Sequence, residues 1–299
     1  MDKNKKGALL IILAGACWGS ISIFINYLSN AGLGTMQISF LRQALASVVF
    51  CIAVLVRDPS KFRIHPRDLP VLIALGIACG VMFNYLYFYT IINSRASIAV
   101  VLLYTSPIFV MIMSRVFFKE KLTHFKMAAL VLTVLGCVLV TGIVGDGYTP
   151  PVIAIVTGVL TGFAYALNNI LTSVAVKRND PETVTLYTLV FSCIFLIPFS
   201  GGGKLVSLCK TNPHILPVAF LLCLVTAVLA QYLFSMGLQR IESGKASIYG
   251  ATEPIVGTLV GILTFHEESN LLKIIGIAMV IAAIILIGKD NADNNTSNS

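Results

Sequence analysis

The sequence predicts an all-α polytopic membrane protein, with ten transmembrane helices in two inverted five-helix repeats and both termini in the cytoplasm. Three observations lead to this prediction: an apolar composition, a sided distribution of Lys and Arg, and an internal repeat. The 299 residues are 57% hydrophobic and 11% charged, and the mean hydropathy is +0.89. Since about a quarter of the residues of a soluble domain are charged, the composition favours a membrane protein.

The apolar runs are long enough to cross a bilayer, which takes about 20 helical residues. The first follows three lysines but is too long for the apolar part of a signal peptide, so we expect it to be retained. Between the helices the connections are short, and the longest is the Gly-rich segment 200–215. Gly, Pro and charge clusters place the ten helices at residues 7–29, 35–56, 69–92, 97–117, 124–142, 152–175, 182–200, 214–238, 246–265 and 271–288.

Basic residues predict the orientation. With the N-terminus inside, sixteen Lys and Arg residues fall on the cytoplasmic side and four outside, while Arg42 lies within a helix. Cytoplasmic loops of membrane proteins carry such an excess. The net charge of +8 therefore indicates topology and affinity for anionic lipid headgroups, and not nucleic-acid binding. The polar tail, residues 290–299, is predicted to be disordered and cytoplasmic.

An internal repeat divides the chain into residues 1–145 and 146–289. At an offset of 147 residues, identical residues align in helices and at helix ends alike. Because each unit holds an odd number of helices, the two copies must insert with opposite orientation, a recurrent plan among secondary transporters. A duplicated scaffold or enzyme is the alternative. The aligned pairs include Gly15 with Gly162, Tyr85 with Tyr232, Thr105 with Thr252, Pro107 with Pro254 and Glu120 with Glu267.

Short motifs at these positions resemble a known family. They are ACWGS, SFLRQ, YTSPIF, FFKEKL, TEPIVG and FHEE. Their order and spacing over residues 7–288 are similar to the EamA family of the drug/metabolite transporter (DMT) superfamily. The resemblance implies a ten-helix, multi-pass carrier of the bacterial inner (plasma) membrane that exports metabolites, amino acids or toxic compounds. It also implies a central cavity walled by the first, third, fourth, sixth, eighth and ninth helices.

Polar side chains within the helices predict a cavity at mid-membrane, because hydrocarbon offers them no hydrogen-bonding partner. In the first helix Trp18, Ser22 and Asn26 recur every four residues and therefore share one face. The alternative is helix-to-helix hydrogen bonding, worth on average about 0.6 kcal/mol per bond. The predicted substrate-binding residues are Trp18, Ser22, Asn84, Tyr104, Tyr165, Asn168, Asn169, Gln231, Tyr249 and Glu253.

Two charged residues lie deep within helices, Glu253 and Arg42. An unpaired charge at the bilayer centre costs roughly 2.5–3.5 kcal/mol on insertion scales. Glu253 is therefore expected to be protonated, paired or hydrated. It is a candidate for proton coupling or for contact with a substrate cation, with a structural hydrogen-bonding role as the alternative. For Arg42 the alternatives are snorkelling outward or a structural role, binding of an anionic substrate group, and pairing with Glu253.

Proline and glycine predict where helices bend and pack. Pro107 and Pro254 each remove a backbone donor, which kinks the helix and makes both residues candidate hinges. The kink at Pro254 is expected to free the carbonyl of Gly250 for ligand binding. Glu120 and Glu267 are expected to make contacts at helix ends. Glycines spaced four residues apart predict close helix packing, at Gly15 and Gly19, Gly158 and Gly162, and Gly257 and Gly261.

The sequence carries no motif that favours an enzyme. It has no HExxH and no Walker motif, every Asp lies in a terminus or loop, and the seven cysteines are scattered singly. We therefore expect no catalysis, no cofactor and no metal. The favoured function is a secondary carrier, a monomer or homodimer, that exports a small zwitterionic or aromatic metabolite or a drug, with the proton as candidate coupling ion. A facilitative channel or uniporter is the main alternative, ahead of an intramembrane enzyme or a scaffold.

Overall fold

The computed structural model describes residues 3–141, 149–266 and 270–296, with backbone only for residue 96 and for 290–296. All regular structure in this part of the chain is helical. Nine of the helices in the described ranges are long and apolar enough to cross a membrane, and His124–Val140 is a shorter apolar helix of 17 residues. The long helices are α1 (Lys3–Asn30), α2 (Thr35–Arg57), α3 (Pro66–Asn93), α4 (Ala96–Leu103 with Ser106–Phe118), α5 (His124–Val140), α6 (Val152–Ala175), α7 (Pro181–Phe199), α8 (Ile215–Leu238), α9 (Ser243–Tyr249 with Thr252–Phe265) and α10 (Leu271–Thr296).

The observed helices differ from the predicted ones mainly in two places. The segment 200–215, predicted as a loop, contains the short helix Gly202–Thr211. The last helix continues to Thr296, so the backbone of 290–296 is helical where the sequence predicts disorder. A helix already formed extends at the cost of fixing one residue for each new hydrogen bond. The predicted boundary between residues 145 and 146, Glu267 and residues 297–299 lie outside the described residues.

The two halves of the chain interrupt their helices at equivalent positions. The π-helical turns Ile77–Met82 in α3 and Leu224–Leu229 in α8 are related by the 147-residue offset. The break in α4, after Leu103, and the break in α9, after Tyr249, are 146 residues apart and so match this offset to within one residue. Since π-turns inside α-helices are rare and frequent at functional sites, their recurrence supports the repeat.

The breaks in α4 and α9 confirm the kinks predicted at Pro107 and Pro254, each of which lies within the first turn of the segment that follows the break. The predicted free carbonyl of Gly250 is wrong. That carbonyl accepts the N–H of Glu253 at 3.0 Å, because the chain tightens into a turn at the break and satisfies the group locally.

Glycines bring helices of the two halves into close contact, as predicted. A Cβ on Gly19 of α1 would lie 2.5 Å from the carbonyl oxygen of Glu253 in α9, and one on Gly15 would lie 3.0 Å from that of Gly250. On the other side, Gly158 and Gly162 of α6 pack against Leu102 of α4. These two contacts hold α1 on α9 and α4 on α6, beside the central cavity.

Candidate functional site

A cavity of about 700 Å³ lies between α1, α2, α3, α6, α7, α8 and α9, and α4 contributes Leu103 to its wall. Most of the predicted polar residues line it. These residues come from both halves of the chain and from helices that are not adjacent in sequence. Helical periodicity can predict which of them share a face of one helix, but only the fold brings the faces of different helices together. The predicted residues in its wall are Trp18, Ser22, Asn26, Arg42, Asn84, Tyr165, Asn168, Gln231 and Glu253.

Three predicted residues lie away from the cavity. Tyr104 is buried with Cys137 and Ala251 in a separate apolar cluster. Tyr249 is buried in the main core. Asn169 is 1% exposed and does not line the cavity, unlike Asn168. The position of these residues in the middle of a helix predicts their depth in the membrane. It does not predict which side of the helix they lie on, because successive residues of a helix point about 100° apart.

The cavity also has wall residues that the sequence analysis missed. Phe83 and Tyr87 of α3 stack with ring centroids 5.6 Å apart, and Gln43 follows Arg42 in α2. Phe83 and Tyr87 are four residues apart and so share a face. This four-residue spacing could have identified both residues as members of one helix face from the sequence. Gln43 had no local signal, because its neighbours in the chain are apolar on one side and Arg42 on the other.

Glu253 and Trp18 form one wall of the cavity. The hydroxyl of Tyr165 donates to Oε2 of Glu253 at 3.1 Å. Trp18 donates its indole N–H to the carbonyl oxygen of Thr226 at 3.0 Å, and its ring meets the edge of Tyr165 with centroids 6.3 Å apart. The indole nitrogen is thus satisfied by protein, which leaves the aromatic surface for a ligand.

Arg42 lies in the same cavity. Among the described residues, no side chain forms an ion pair with it, and its buried Nε has no hydrogen bond. The predicted alternative of a pair with Glu253 is therefore not formed in this state, although both residues line the cavity. As far as the chain is described, the cavity wall holds one cationic and one acidic side chain, each from a different half of the chain.

At the end of the bundle that carries Lys126, the two halves of the chain are joined by polar contacts. Lys126 of α5, only 2% exposed, donates to Glu242 at 2.6 Å and to the carbonyl oxygen of Lys121 at 2.9 Å. The carboxylate of Glu120 accepts the N–H groups of Ser243 and Gly244 at 3.0 and 3.2 Å. This confirms the predicted end contact of Glu120, which caps the positive N-terminus of α9.

Further contacts close the same end. The hydroxyls of Ser173 in α6 and Ser243 in α9 are 2.6 Å apart. Tyr187 of α7 donates to the carbonyl oxygen of Phe62 at 2.7 Å. Lys61 pairs with Asp180, which raises the pKa of the Lys61 ammonium through their hydrogen bond. The side chains of Ser173 and Ser243 are almost completely buried, so this end is sealed between α6 and α9.

At the other end of the bundle the cavity reaches the surface. Asn26, Ser29 and Asn30 of α1 line it and are exposed. Thr35 at the start of α2 and Phe265 at the end of α9 also line it. The cavity thus extends from Trp18 and Glu253 to the helix ends opposite Lys126.

The chemistry of the wall is that of a binding site. Among the described residues, no three His, Cys, Asp or Glu side chains lie close enough to hold a metal ion. The wall offers amides, hydroxyls, aromatic faces and two opposite charges, which suit reversible binding of a small organic molecule.

Comparison with known proteins gives the family. The model of the EamA-like transporter family matches the chain twice, over residues 5–142 and 152–289. The chain belongs to the EamA-like transporter family. The starts of the two matches are 147 residues apart, and so are their ends, which is the offset of the internal repeat.

Relatives share nearly the whole chain. An uncharacterized transporter of Archaeoglobus fulgidus is 28% identical over 95% of this chain and 97% of its own length. The uncharacterized transporter YxxF of Bacillus subtilis is 22% identical over 99% and 94%. A solved crystal structure, 17% identical, has a TM-score of 0.76 and covers 95% of this chain and 96% of its own, so the fold is shared. The protein is a multi-pass membrane transporter.

Proposed function

We propose that this protein is a secondary carrier that exports a small zwitterionic or aromatic metabolite by alternating access. The observation that carries the proposal is the cavity, which is sealed by contacts between the halves at one end and reaches the surface at the other. A cavity open to one side at a time is what a carrier requires, whereas a channel needs a path open at both ends.

The proposal includes the arrangement of the halves. Ten spans in two inverted five-helix repeats, with both termini in the cytoplasm of a bacterial cell, put Lys126 on the inner side. The state described above is then open to the outside. Recurrence of the π-turns at the 147-residue offset, and of the helix breaks within one residue of it, supports the repeat, and the excess of Lys and Arg in the loops near Lys126 supports the orientation.

Glu253 is the residue we propose for coupling to protons. Its contact with Tyr165 lies in the cavity wall, where a substrate or a proton can reach the carboxylate. In the first half of the chain the equivalent position is Ser106, which lies outside the cavity. Among the described residues of the cavity wall, the proposed coupling group is therefore present once.

Labelling from one side tests the orientation and the open end together. Asn26→Cys places a thiol at the exposed mouth, and Gln239→Cys places one beside Lys126, at the opposite end. In intact cells a membrane-impermeant maleimide is expected to label the first variant and not the second, with the wild type and its seven native cysteines as the control. Labelling of Gln239→Cys alone would overturn the orientation, and labelling of both would indicate a continuous path.

Flux in proteoliposomes separates the carrier from a facilitative channel. A carrier shows saturable counterflow, in which external substrate accelerates the exit of labelled internal substrate. Flux proportional to concentration, without exchange, would support the channel.

A further inference from the structure

Four buried polar atoms in the wall of the cavity have no hydrogen-bond partner in the described part of the chain. Buried polar groups are almost always bonded, so a group of orphans at one site calls for a ligand. Two other such atoms, Oγ1 of Thr133 and Oδ1 of Asn169, lie outside the cavity. The four are Oγ of Ser22, Nε of Arg42, Oε1 of Gln43 and Nε2 of Gln231.

Comparison of the two halves explains why Gln231 is free. Its counterpart at the 147-residue offset, Asn84, donates to the carbonyl oxygens of Gly80 and Cys79 at 2.6 and 3.2 Å and so closes the π-turn of α3. In α8 the carbonyl equivalent to that of Cys79 belongs to Thr226 and is already taken by Trp18. The carbonyl equivalent to that of Gly80 belongs to Ala227, and the longer side chain of Gln231 does not bond it, so Nε2 of Gln231 has no partner although only 4% of the residue is exposed.

Arg42 also differs from the residue at the equivalent position in the other half of the chain. Its counterpart is Leu189, which also lines the cavity, so the first half of the chain supplies the cationic group and the second half supplies none. The acid in the cavity, Glu253, already accepts a hydrogen bond from Tyr165. Arg42 and Gln231 stand on neighbouring helices, because α2 packs on α8 with the rings of Phe50 and Tyr232 6.0 Å apart.

We propose that Arg42 and Gln231 bind a carboxylate of the transported substrate. A guanidinium offers a planar fork of N–H donors that matches the two oxygens of a carboxylate. The amide N–H of Gln231 and the hydroxyl of Ser22 add neutral donors, and Oε1 of Gln43 accepts an N–H or O–H of the ligand. The carboxylate end of the substrate then lies at α2 and α8, and a cationic or aromatic end lies toward Glu253 and Trp18.

This inference rests on the proposed carrier function and adds that the substrate is an anion or a zwitterion. The neutral analogue of such a substrate should bind poorly, because it leaves the guanidinium without a counter-charge. Sites built around a buried polar group reject ligands that lack its partner more strongly than they reject ligands of altered apolar size.

Fluorescence of Trp18 offers a direct assay, because it is the single tryptophan of the chain and lines the cavity. The probes are pairs that differ in the carboxylate alone: phenylalanine and phenylalaninamide, leucine and leucinamide, phenylacetate and phenylacetamide. In the wild type, at least one carboxylate is expected to bind more tightly than its amide, by roughly 10- to 100-fold for a lost charged hydrogen bond.

Variants assign that difference to the site. Arg42→Gln is expected to abolish the preference for the carboxylate, and Arg42→Lys to retain part of it, because the charge remains while the fork is lost. Gln231→Met, close in size, is expected to weaken carboxylate binding several-fold and serves if Arg42→Gln does not fold. Thr133→Val is the matched control, since it removes an orphaned buried hydroxyl outside the cavity and should leave binding unchanged.

Three results would overturn the inference: amides that bind as tightly as the carboxylates, a preference that survives Arg42→Gln, and a wild type that binds none of the carboxylates. A neutral or purely cationic compound that binds and shows counterflow would remove the carboxylate site and leave the carrier function in place. Failure of the sided labelling at Asn26 would instead remove the carrier proposal itself.

Discussion

Lys126→Met should loosen the sealed end of the bundle. Its ammonium is buried and bonded to Glu242 at 2.6 Å and to the carbonyl oxygen of Lys121 at 2.9 Å. Hydrogen bonds to charged groups contribute about 1.5–3 kcal/mol each, and breaking a buried ion pair costs about 3–5 kcal/mol. Since the side chain of Glu242 is 47% exposed, water can hydrate its carboxylate, and the carboxylate of Glu120, 3.9 Å from the ammonium and 9% exposed, keeps its hydrogen bonds from the N–H groups of Ser243 and Gly244. We therefore expect a loss of about 2 kcal/mol, which is roughly 30-fold in the equilibrium between closed and open.

The assay is the labelling rate of a thiol introduced by Ser173→Cys, 3% exposed in the wild-type seal. A buried thiol reacts in proportion to the fraction of molecules that are open, so Lys126→Met should raise its rate by roughly 30-fold. Lys121→Met is the matched control. It removes the same charge from an exposed side chain of the same connection and should change the rate less than about twofold, as expected for a surface site.

The reasoning is refuted if Lys126→Met and Lys121→Met label at the same rate. It is also refuted if the native thiol of Cys137, which is 0% exposed and lies away from the seal, gains the same labelling rate, because the variant would then have loosened the whole protein and not the seal.

Three other predictions concern the cavity and its walls. Glu253→Gln should remove the pH dependence of flux in proteoliposomes because the amide cannot titrate, and an unchanged pH profile would leave Glu253 with a structural role. Gly19→Ala should destabilise the protein by about 1–3 kcal/mol through overpacking, measured by thermal unfolding. Gly203→Ala is the control and should not, because a Cβ at Gly203 would have nothing within 4 Å. Equal unfolding midpoints of the two variants would contradict the close contact at Gly19. Trp18→Phe should lower stability by about 1–3 kcal/mol by orphaning the carbonyl of Thr226, measured by circular dichroism, and a midpoint equal to that of the wild type would show that this hydrogen bond contributes little.

Helix positions and internal symmetry could be predicted from the sequence because both are local or periodic properties. Span length follows from hydrophobicity, and the kinks at Pro107 and Pro254 follow from a missing donor. Trp18 and Ser22, predicted to share one face of the first helix, both line the cavity. The helix is interrupted at Ser20 between them, but the N–H of Ser20 still bonds the carbonyl oxygen of Ala16 at 3.2 Å, which preserves the helical direction.

The sequence did not predict the direction of a side chain where the helix is interrupted close to it, or where two adjacent polar residues could each face the cavity. Tyr104 lies at the break in α4, so its direction depends on the turn and not on helical spacing. Asn168 and Asn169 cannot both face the cavity, and sequence alone gave no reason to choose between them.

Contacts between segments that are far apart in the chain could not be predicted from the sequence. Lys126 and Glu242 are 116 residues apart, and each looks like an ordinary charged residue at a helix end. The free amide of Gln231 became visible only when its surroundings could be compared with those of Asn84.

The most direct test of the central claim measures both ends of the bundle at once. Spin labels at Asn30 and Ile91 report the distance across the mouth of the cavity, and labels at the exposed residues Ser60 and Lys177 report the sealed end. Under alternating access, Lys126→Met should lengthen the second distance and shorten the first in the same population of molecules. Lengthening at the sealed end with an unchanged or wider mouth would mean a continuous pore, and the carrier mechanism would be wrong.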